Sequence, residues 1–434
     1  MAESSLYPEK QNDALLTEKL PEAIKHPEKT QSIGWQLLLS LANLVVWISI
    51  FPTFQILLPD QIAALDPANK VTLLAAISLP GGIAAILGNL LAGALSDRTT
   101  SRFGRRRPWI LGGAISSAAS LVLLAFSPSI ALLALGVILF QFCVNLIIAS
   151  LAALVPDQVP VRQRATVSGF AGLALPLGTI VGLTLVAQAI KATQLLYFVL
   201  SAVLLVVLTF YVFFIKDAVL PAGTLPPISL GQFLAGFFRP LRSRDFTFTW
   251  IGRILVIFGY YTVVGYLLFY LQDVVHYDKI FPGQTSAQGV ALFQLISTGI
   301  LIIATIISGI ISDRLQRRKA FVIAAALIIV VSLIIIALFP VWPMMLTAAG
   351  ILGLGFGILL SGDLALQTQV LPDQRDRGKD LGIQNTANLI LQVLVPLVVA
   401  LVLALIHSYA ALFIFGAILT CIGAMFIFPI RSVR

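Results

Sequence analysis

Arg253 and Asp363 are charges placed deep inside long apolar segments, and they stand at matching distances from the segment ends. Arg253 lies eight residues beyond Asp245, and Asp363, the only acidic residue well inside an apolar segment, lies eight residues before Leu371. At about 1.5 Å per helical residue, each is roughly 12 Å from the same membrane edge, so the two can meet. A charge at that depth needs a partner or a wet cavity, and it is functional by default. Two readings stand: a static ion pair, or a carboxylate whose protonation is coupled to movement of a solute.

Uncharged polar side chains recur around these charges at helical spacing. Gln384, Asn388 and Gln392 follow one another every four residues with Asn385 beside them, Gln141 precedes Asn145, and Gln367 stands one turn beyond Asp363. Asn43 and Trp47 form a further pair, and Tyr260, Tyr261, Tyr266 and Tyr270 supply four of the nine tyrosines. A spacing of four puts side chains on one helix face. Amides offer paired donors and acceptors, and aromatic faces stack on the apolar side of a sugar ring, so a neutral polyol suits this lining. The competing role is interhelical hydrogen bonding that holds helices together.

None of this is catalytic equipment. His26, His276 and His407 lack metal-ligand spacing, and Cys143 and Cys421 each stand alone in an apolar stretch. The chain has no nucleotide-binding glycine loop and no nucleophile with a base beside it, so neither a cofactor, a metal nor an enzyme activity is expected.

The elements that hold these residues are membrane spans. Of 434 residues, 59% are hydrophobic and 11% charged, and the mean hydropathy is +0.98, which a water-soluble surface could not tolerate. Crossing a hydrocarbon core of about 30 Å takes about 20 apolar residues. Twelve such spans are read, at 33–58, 71–95, 109–127, 129–155, 166–190, 194–215, 246–272, 287–311, 320–338, 341–370, 379–406 and 408–430. The Ser127–Ser129 turn separates spans three and four, and Pro340 and Pro343 mark the turn between nine and ten.

The net charge of +9 would suggest nucleic acid for a soluble chain. Here 24 of the 28 Lys and Arg residues fall in the tails and the alternate loops of one side. That asymmetry puts both termini in the cytoplasm and excludes a nucleic-acid partner. Residues 1–32 read as a disordered cytoplasmic tail without a secretory signal. Residues 216–245, with Pro221, Pro226, Pro227 and Pro240, read as a linker between an N-terminal half at 33–215 and a C-terminal half at 246–430. Its apolar stretch 228–238 is too short to cross and suits a surface helix.

The two halves repeat each other. GALSDR at 93–98 recurs as GIISDR at 309–314, and VPDQ at 155–158 recurs as LPDQ at 371–374, both 216 positions later. Paired halves of this kind are typical of secondary transporters. The segment GALSDRTTSRFGRRR at 93–107 resembles the signature loop of the major facilitator superfamily, with Gly93, Asp97, Arg98, Gly104, Arg105, Arg106 and Arg107 filling it. An insertion, TTSR at 99–102, departs from the commonest form. SDRTTSRFGRRRPWI and LPDQRDRGKDLGIQNTAN look like the sucrose and glycoside transporters of that superfamily.

The resemblance implies an all-α membrane protein of twelve transmembrane helices in two pseudo-symmetric six-helix halves, with spans one, four, seven and ten lining a central cavity. It implies latches between halves: Asp97 approaching the start of span eleven near Lys379, and Asp313 the start of span five near Arg164. Arg98 and Arg314 would reach Asp157 and Asp373, with Arg105 in the same basic cluster. The expected function is alternating-access transport of a small molecule, a sugar or glycoside moved with a proton. An exporter of lipophilic compounds and a receptor without flux are the rivals. A monomer in the plasma (inner) membrane, with the lipid bilayer as its other partner, completes the expectation.

Overall fold

A computed structural model describes residues 27–221, 243–315, 318–370 and 377–430. Within its helices, the side chains of 165, 313, 318, 363–370 and 377–386 lie outside the description. The tail up to 26 and most of the expected linker, including its surface helix, lie outside the described residues as well.

Twelve helices are long and apolar enough to cross a membrane, and the described residues form no strand. They are α1 (Ile33–Leu65), α2 (Lys70–Ser96), α3 (Arg107–Ala125), α4 (Ile130–Gln158), α5 (Val161–Gln188), α6 (Thr193–Phe214), α7 (Arg244–Tyr270), α8 (Ser286–Leu315), α9 (Arg318–Leu338), α10 (Trp342–Val370), α11 (Arg377–Ile406) and α12 (Tyr409–Ile427). Serine hydroxyls start several of them. Ser32 accepts from the Trp35 N–H at 3.2 Å, and Ser129 and Ser408 do the same for α4 and α12, satisfying amides that the first turn leaves open. The turn at Ser127–Ser129 lies where expected, whereas Pro343 is already inside α10, where a missing N–H costs nothing.

The largest departure from the expected spans is at α1, which runs to Leu65 through a π turn at Thr53–Leu57. Its counterpart α7 continues into a π turn at Leu271–Val275. A π turn inserts one residue into the helical register, which periodicity in the sequence does not reveal.

Helix packing repeats between halves. α1 packs on α5 and α6, α2 on α4, and α3 on α4 and α6; α7 packs on α11 and α12, α8 on α10, and α9 on α10 and α12. Glycines allow the closest approaches. A Cβ on Gly88 would overlap the Phe142 carbonyl oxygen between α2 and α4, and one on Gly353 would overlap the Ser297 carbonyl oxygen between α10 and α8. In membranes such small-residue contacts replace the hydrophobic drive as the source of helix association.

The halves meet through α2 with α11 and α5 with α8, two seams that a pseudo-two-fold axis exchanges. The first and last described helices begin and end on one face, the near face; the opposite one is the far face. At the far face, cross-half side-chain bonds join the helix ends. Toward the near face, α5 stands apart: from Ser168 to Leu175 only Ala174 is buried, and Gly93 of α2 and Gly169 and Gly172 of α5 have nothing within 4 Å of where a Cβ would be. Along this stretch α5 packs little against the other described residues.

Candidate functional site

Three carboxylates and two arginines knit the near-face loops of the N-terminal half. The Arg106 guanidinium is almost fully buried and donates to Asp97, to the Ser96 hydroxyl and, through Nε at 2.9 Å, to Asp157 Oδ2. Arg105 reaches the same Asp157 oxygen at 2.6 Å. Asp157, expected opposite Arg98, is thus bound by Arg105 and Arg106. The loop bends back after Asp97 and brings the later arginines over α4, whereas Arg98 stands in the turn just past the end of α2.

Asp217, beyond α6, accepts the backbone N–H groups of Arg106 at 2.5 Å and Arg107 at 3.1 Å. It closes the positive end of α3 with an anion from elsewhere in the chain. Gly104 makes this possible: its φ is +105°, and a Cβ there would lie 2.5 to 2.7 Å from the Asp217 carboxyl.

The C-terminal copy of this region is less visible. Arg314 is exposed at the end of α8, while the Asp313 side chain and Asp373 lie outside the described residues. Arg164, expected near Asp313, donates to the carbonyls of Val159 and Pro156 and closes the end of α4. Lys379, the expected neighbour of Asp97, has no described side chain.

Midway through the helices, the amides divide into two kinds. Gln141 Nε2 donates to Gln392 Oε1 at 3.2 Å and joins α4 to α11 across the halves. Asn43 and Asn145 instead donate to their own helices, at the Leu39 and Gln141 carbonyls. Asn388 is partly exposed one turn from Gln392, and the side chains of Asp363, Gln367, Gln384 and Asn385 lie outside the described residues.

The tyrosine series of α7 also divides. Tyr260 and Tyr261 are half-buried, and the Tyr260 ring stacks on Phe356 of α10 with centroids 3.9 Å apart and planes 7° from parallel. Tyr266 and Tyr270 are core residues, the latter donating to the Ile336 carbonyl of α9. On α1, Trp47 packs with Phe51, centroids 5.5 Å apart. Arg253 is buried and lies close enough to Tyr261 to act on its hydroxyl electrostatically.

The far-face closure was not among the residues expected to matter. Lys70, at the start of α2, binds Asp273 Oδ1 at 2.6 Å and lies over the Phe269 ring. Tyr409 donates to the other Asp273 oxygen at 2.8 Å. Gln55, in the π turn of α1, accepts from Gln294 of α8 at 3.0 Å. Charges near span ends resemble ordinary loop charges, and two glutamines on separate helices carry no local signal.

The Asp273 side chain is 35% exposed, so its ion pair is worth about 1 kcal/mol at most. Asp273→Asn is expected to raise the labelling rate of a cysteine placed at the far face by roughly two- to fivefold, an effect that shrinks in high salt. An unchanged rate in low salt would remove the pair from the closure.

Two pseudo-symmetric bundles, tied at one face by Lys70 and Asp273 and joined midway by amide pairs, have the architecture of a membrane carrier. The family model of the Major Facilitator Superfamily matches residues 36–304 and 285–434, and the chain belongs to that superfamily. The protein is a transmembrane transporter and not an enzyme.

A "General alpha-glucoside permease" of Schizosaccharomyces pombe (strain 972 / ATCC 24843) is 26% identical over 228 residues, covering 46% of this chain and 41% of that protein. The match spans less than half the length of that relative. Among solved structures, a mutant of the peptide transporter POT is similar with a TM-score of 0.73 at 14% identity, over 97% of this chain and 99% of that one. The nucleoside transporter NupG gives 0.71 at 12%, over 93% and 100%. A bacterial homolog to the human lysosomal transporter Spinster, in an inward-facing and occupied conformation, gives 0.69 at 13%, over 92% and 96%. At such identities the likeness is one of fold.

Proposed function

We propose that the protein moves a neutral, hydroxyl-rich solute, a sugar or glycoside, by alternating access, with Asp363 coupling the movement to a proton. The observation that carries this reading is the midway lining. It joins the halves through the uncharged pair Gln141 and Gln392, and aromatic pairs stand on three of the helices concerned, Tyr260–Phe356 between α7 and α10 and Trp47–Phe51 on α1. Amides match hydroxyls as donors and acceptors, and rings match the apolar face of a pyranose. The α-glucoside permease match supports the same solute class.

The near face is assigned to the cytoplasm of a plasma-membrane protein by its share of the basic residues, and one chain holds both halves of a working monomer. In this orientation the ion pair between Lys70 and Asp273 lies on the outer side, where it ties the two halves together. Asp97, whose side chain is about half exposed at the end of α2, is the latch that meets the α11 N-terminus when the near face closes, with Asp313 its counterpart on α5.

Counterflow of labelled disaccharides in proteoliposomes, with and without an imposed proton gradient, tests the reading. Saturable exchange that becomes uphill accumulation under the gradient is expected. Exchange of hydrophobic cations with indifference to sugars would replace it with lipophilic export, for which Tyr260 and Phe356 form an adaptable apolar platform. Asp363→Asn is expected to lower uphill accumulation at least tenfold while sparing downhill exchange. Equal loss of both in folded protein would instead make Asp363 the static partner of Arg253.

A further inference from the structure

We propose that Gln55 and Gln294 form a binding site for one hydroxyl group of the solute, built half on each bundle. The inference rests on the reading of a neutral hydroxylated solute and names where that solute is recognised. Gln55 lies in the π turn of α1, whose extra residue rotates the side chains that follow by roughly 100° relative to a regular helix. Gln294 lies eight residues into α8, about 12 Å below its far-face end. The two amides are 4% and 1% exposed, and Gln294 Nε2 donates to Gln55 Oε1.

That single bond leaves the pair half satisfied. Gln55 Nε2 and Gln294 Oε1 are buried without a hydrogen-bond partner. Whichever way the amides are turned, one bond between them leaves one amide nitrogen and one amide oxygen over. Buried orphans of this kind are costly, and native structures keep few of them. A donor and an acceptor side by side match the hydroxyl of an alcohol, which accepts and donates at once. A carboxylate only accepts and an ammonium only donates, so neither satisfies both. The Tyr260 hydroxyl lies beside Gln294 while its ring stacks on Phe356, so a phenol adjoins the amides. Because the two glutamines come from opposite halves, a hydroxyl held by both favours the far-closed arrangement, so recognition and closure are one event.

Exchange of an α-glucoside and its monodeoxy analogues in proteoliposomes tests the site. In the unmodified protein, removal of one particular hydroxyl is expected to lower exchange by about 10- to 100-fold, because a site built to bond a hydroxyl rejects the analogue without it. In Gln55→Leu and in Gln294→Leu, exchange of the parent glucoside falls and the penalty at that hydroxyl shrinks to about twofold or less, while penalties at other hydroxyls persist. An unchanged pattern of penalties in both variants overturns the proposal. The double variant Gln55→Leu/Gln294→Leu, which leaves neither amide orphaned, is the folding control, and Gln294→Asn carries the same comparison if the single leucine variants do not fold.

If the unmodified protein exchanges no sugar, the sugar reading fails and polyols and nucleosides take over as probes in a thermal-stability assay. Stabilisation that the double variant loses upholds the hydroxyl site without the sugar. Stabilisation by none of them, or equally in both proteins, overturns it.

Discussion

Gly82→Leu is expected to lower transport by about 100-fold or more while the protein remains folded, and to leave its far face open. A Cβ at Gly82 would lie 2.8 Å from Val393 Cγ2 and 2.9 Å from both the carbonyl carbon and oxygen of Gln392. The valine can rotate; the α11 backbone cannot, so α2 and α11 must separate. Overpacking of this kind costs about 1–3 kcal/mol or more, and each 1.4 kcal/mol is a tenfold change in population.

The penalty falls on one conformation because Gly82 meets the opposite half. A state in which these seams have parted is spared, and the equilibrium moves toward it. Gln272 lies in the far-face π turn after α7 and accepts from Lys70 at 3.4 Å, and impermeant labelling of a Gln272→Cys probe should rise as exchange falls. Gly88→Leu is the contrast, since its clash with Phe142 lies inside one half and should lower folded yield without selecting a conformation. Normal exchange by Gly82→Leu, or lost exchange with unchanged labelling, would sink the assignment of this seam to the moving interface.

Arg106→Ala is expected to destabilise the N-terminal half by about 3 kcal/mol, within the range for removing one partner of a buried ion pair. The side chain is 4% exposed and joins Ser96, Asp97 and Asp157. Its loss leaves Asp157, 23% exposed, with Arg105 alone, and leaves the buried Ser96 hydroxyl with only its own bond to the Ala92 carbonyl. The Asp97 contact contributes less, since that carboxylate is half in solvent.

Arg105→Ala should cost less than Arg106→Ala, because Asp157 then keeps the Nε bond from Arg106. Arg106→Lys should recover only part of the loss: an ammonium keeps the charge but lacks the planar fork that serves three partners. Thermal unfolding of the purified variants in detergent gives this order directly. A larger loss for Arg105→Ala would show that the cluster is centred on the other arginine.

Much of the architecture was legible in the chain because its causes are local. Each span announces itself by length and hydropathy, and the duplicated motifs at one offset state the two-half plan before any contact is known. Boundaries were less legible where a helix continues past its apolar core, as α1 does to Leu65. Within the site, Gln141 and Gln392 were both readable as polar residues on apolar helices, but their meeting across the halves was not. The tyrosine series of α7 shows the opposite failure. Four similar residues invite one role, yet the structure uses two at the half-buried lining and two in the core.

The sequence by itself determined that this chain lives in a membrane, crosses it twelve times and gathers its basic loops on one side, because hydropathy and charge act segment by segment. Only the tertiary structure decided that Arg106 rather than Arg98 holds Asp157, that Lys70 meets Asp273, and that Gln55 meets Gln294. Such pairings join residues between about 50 and 240 positions apart, so they depend on helix rotation, a π turn and the angle between two bundles. No local pattern encodes those quantities.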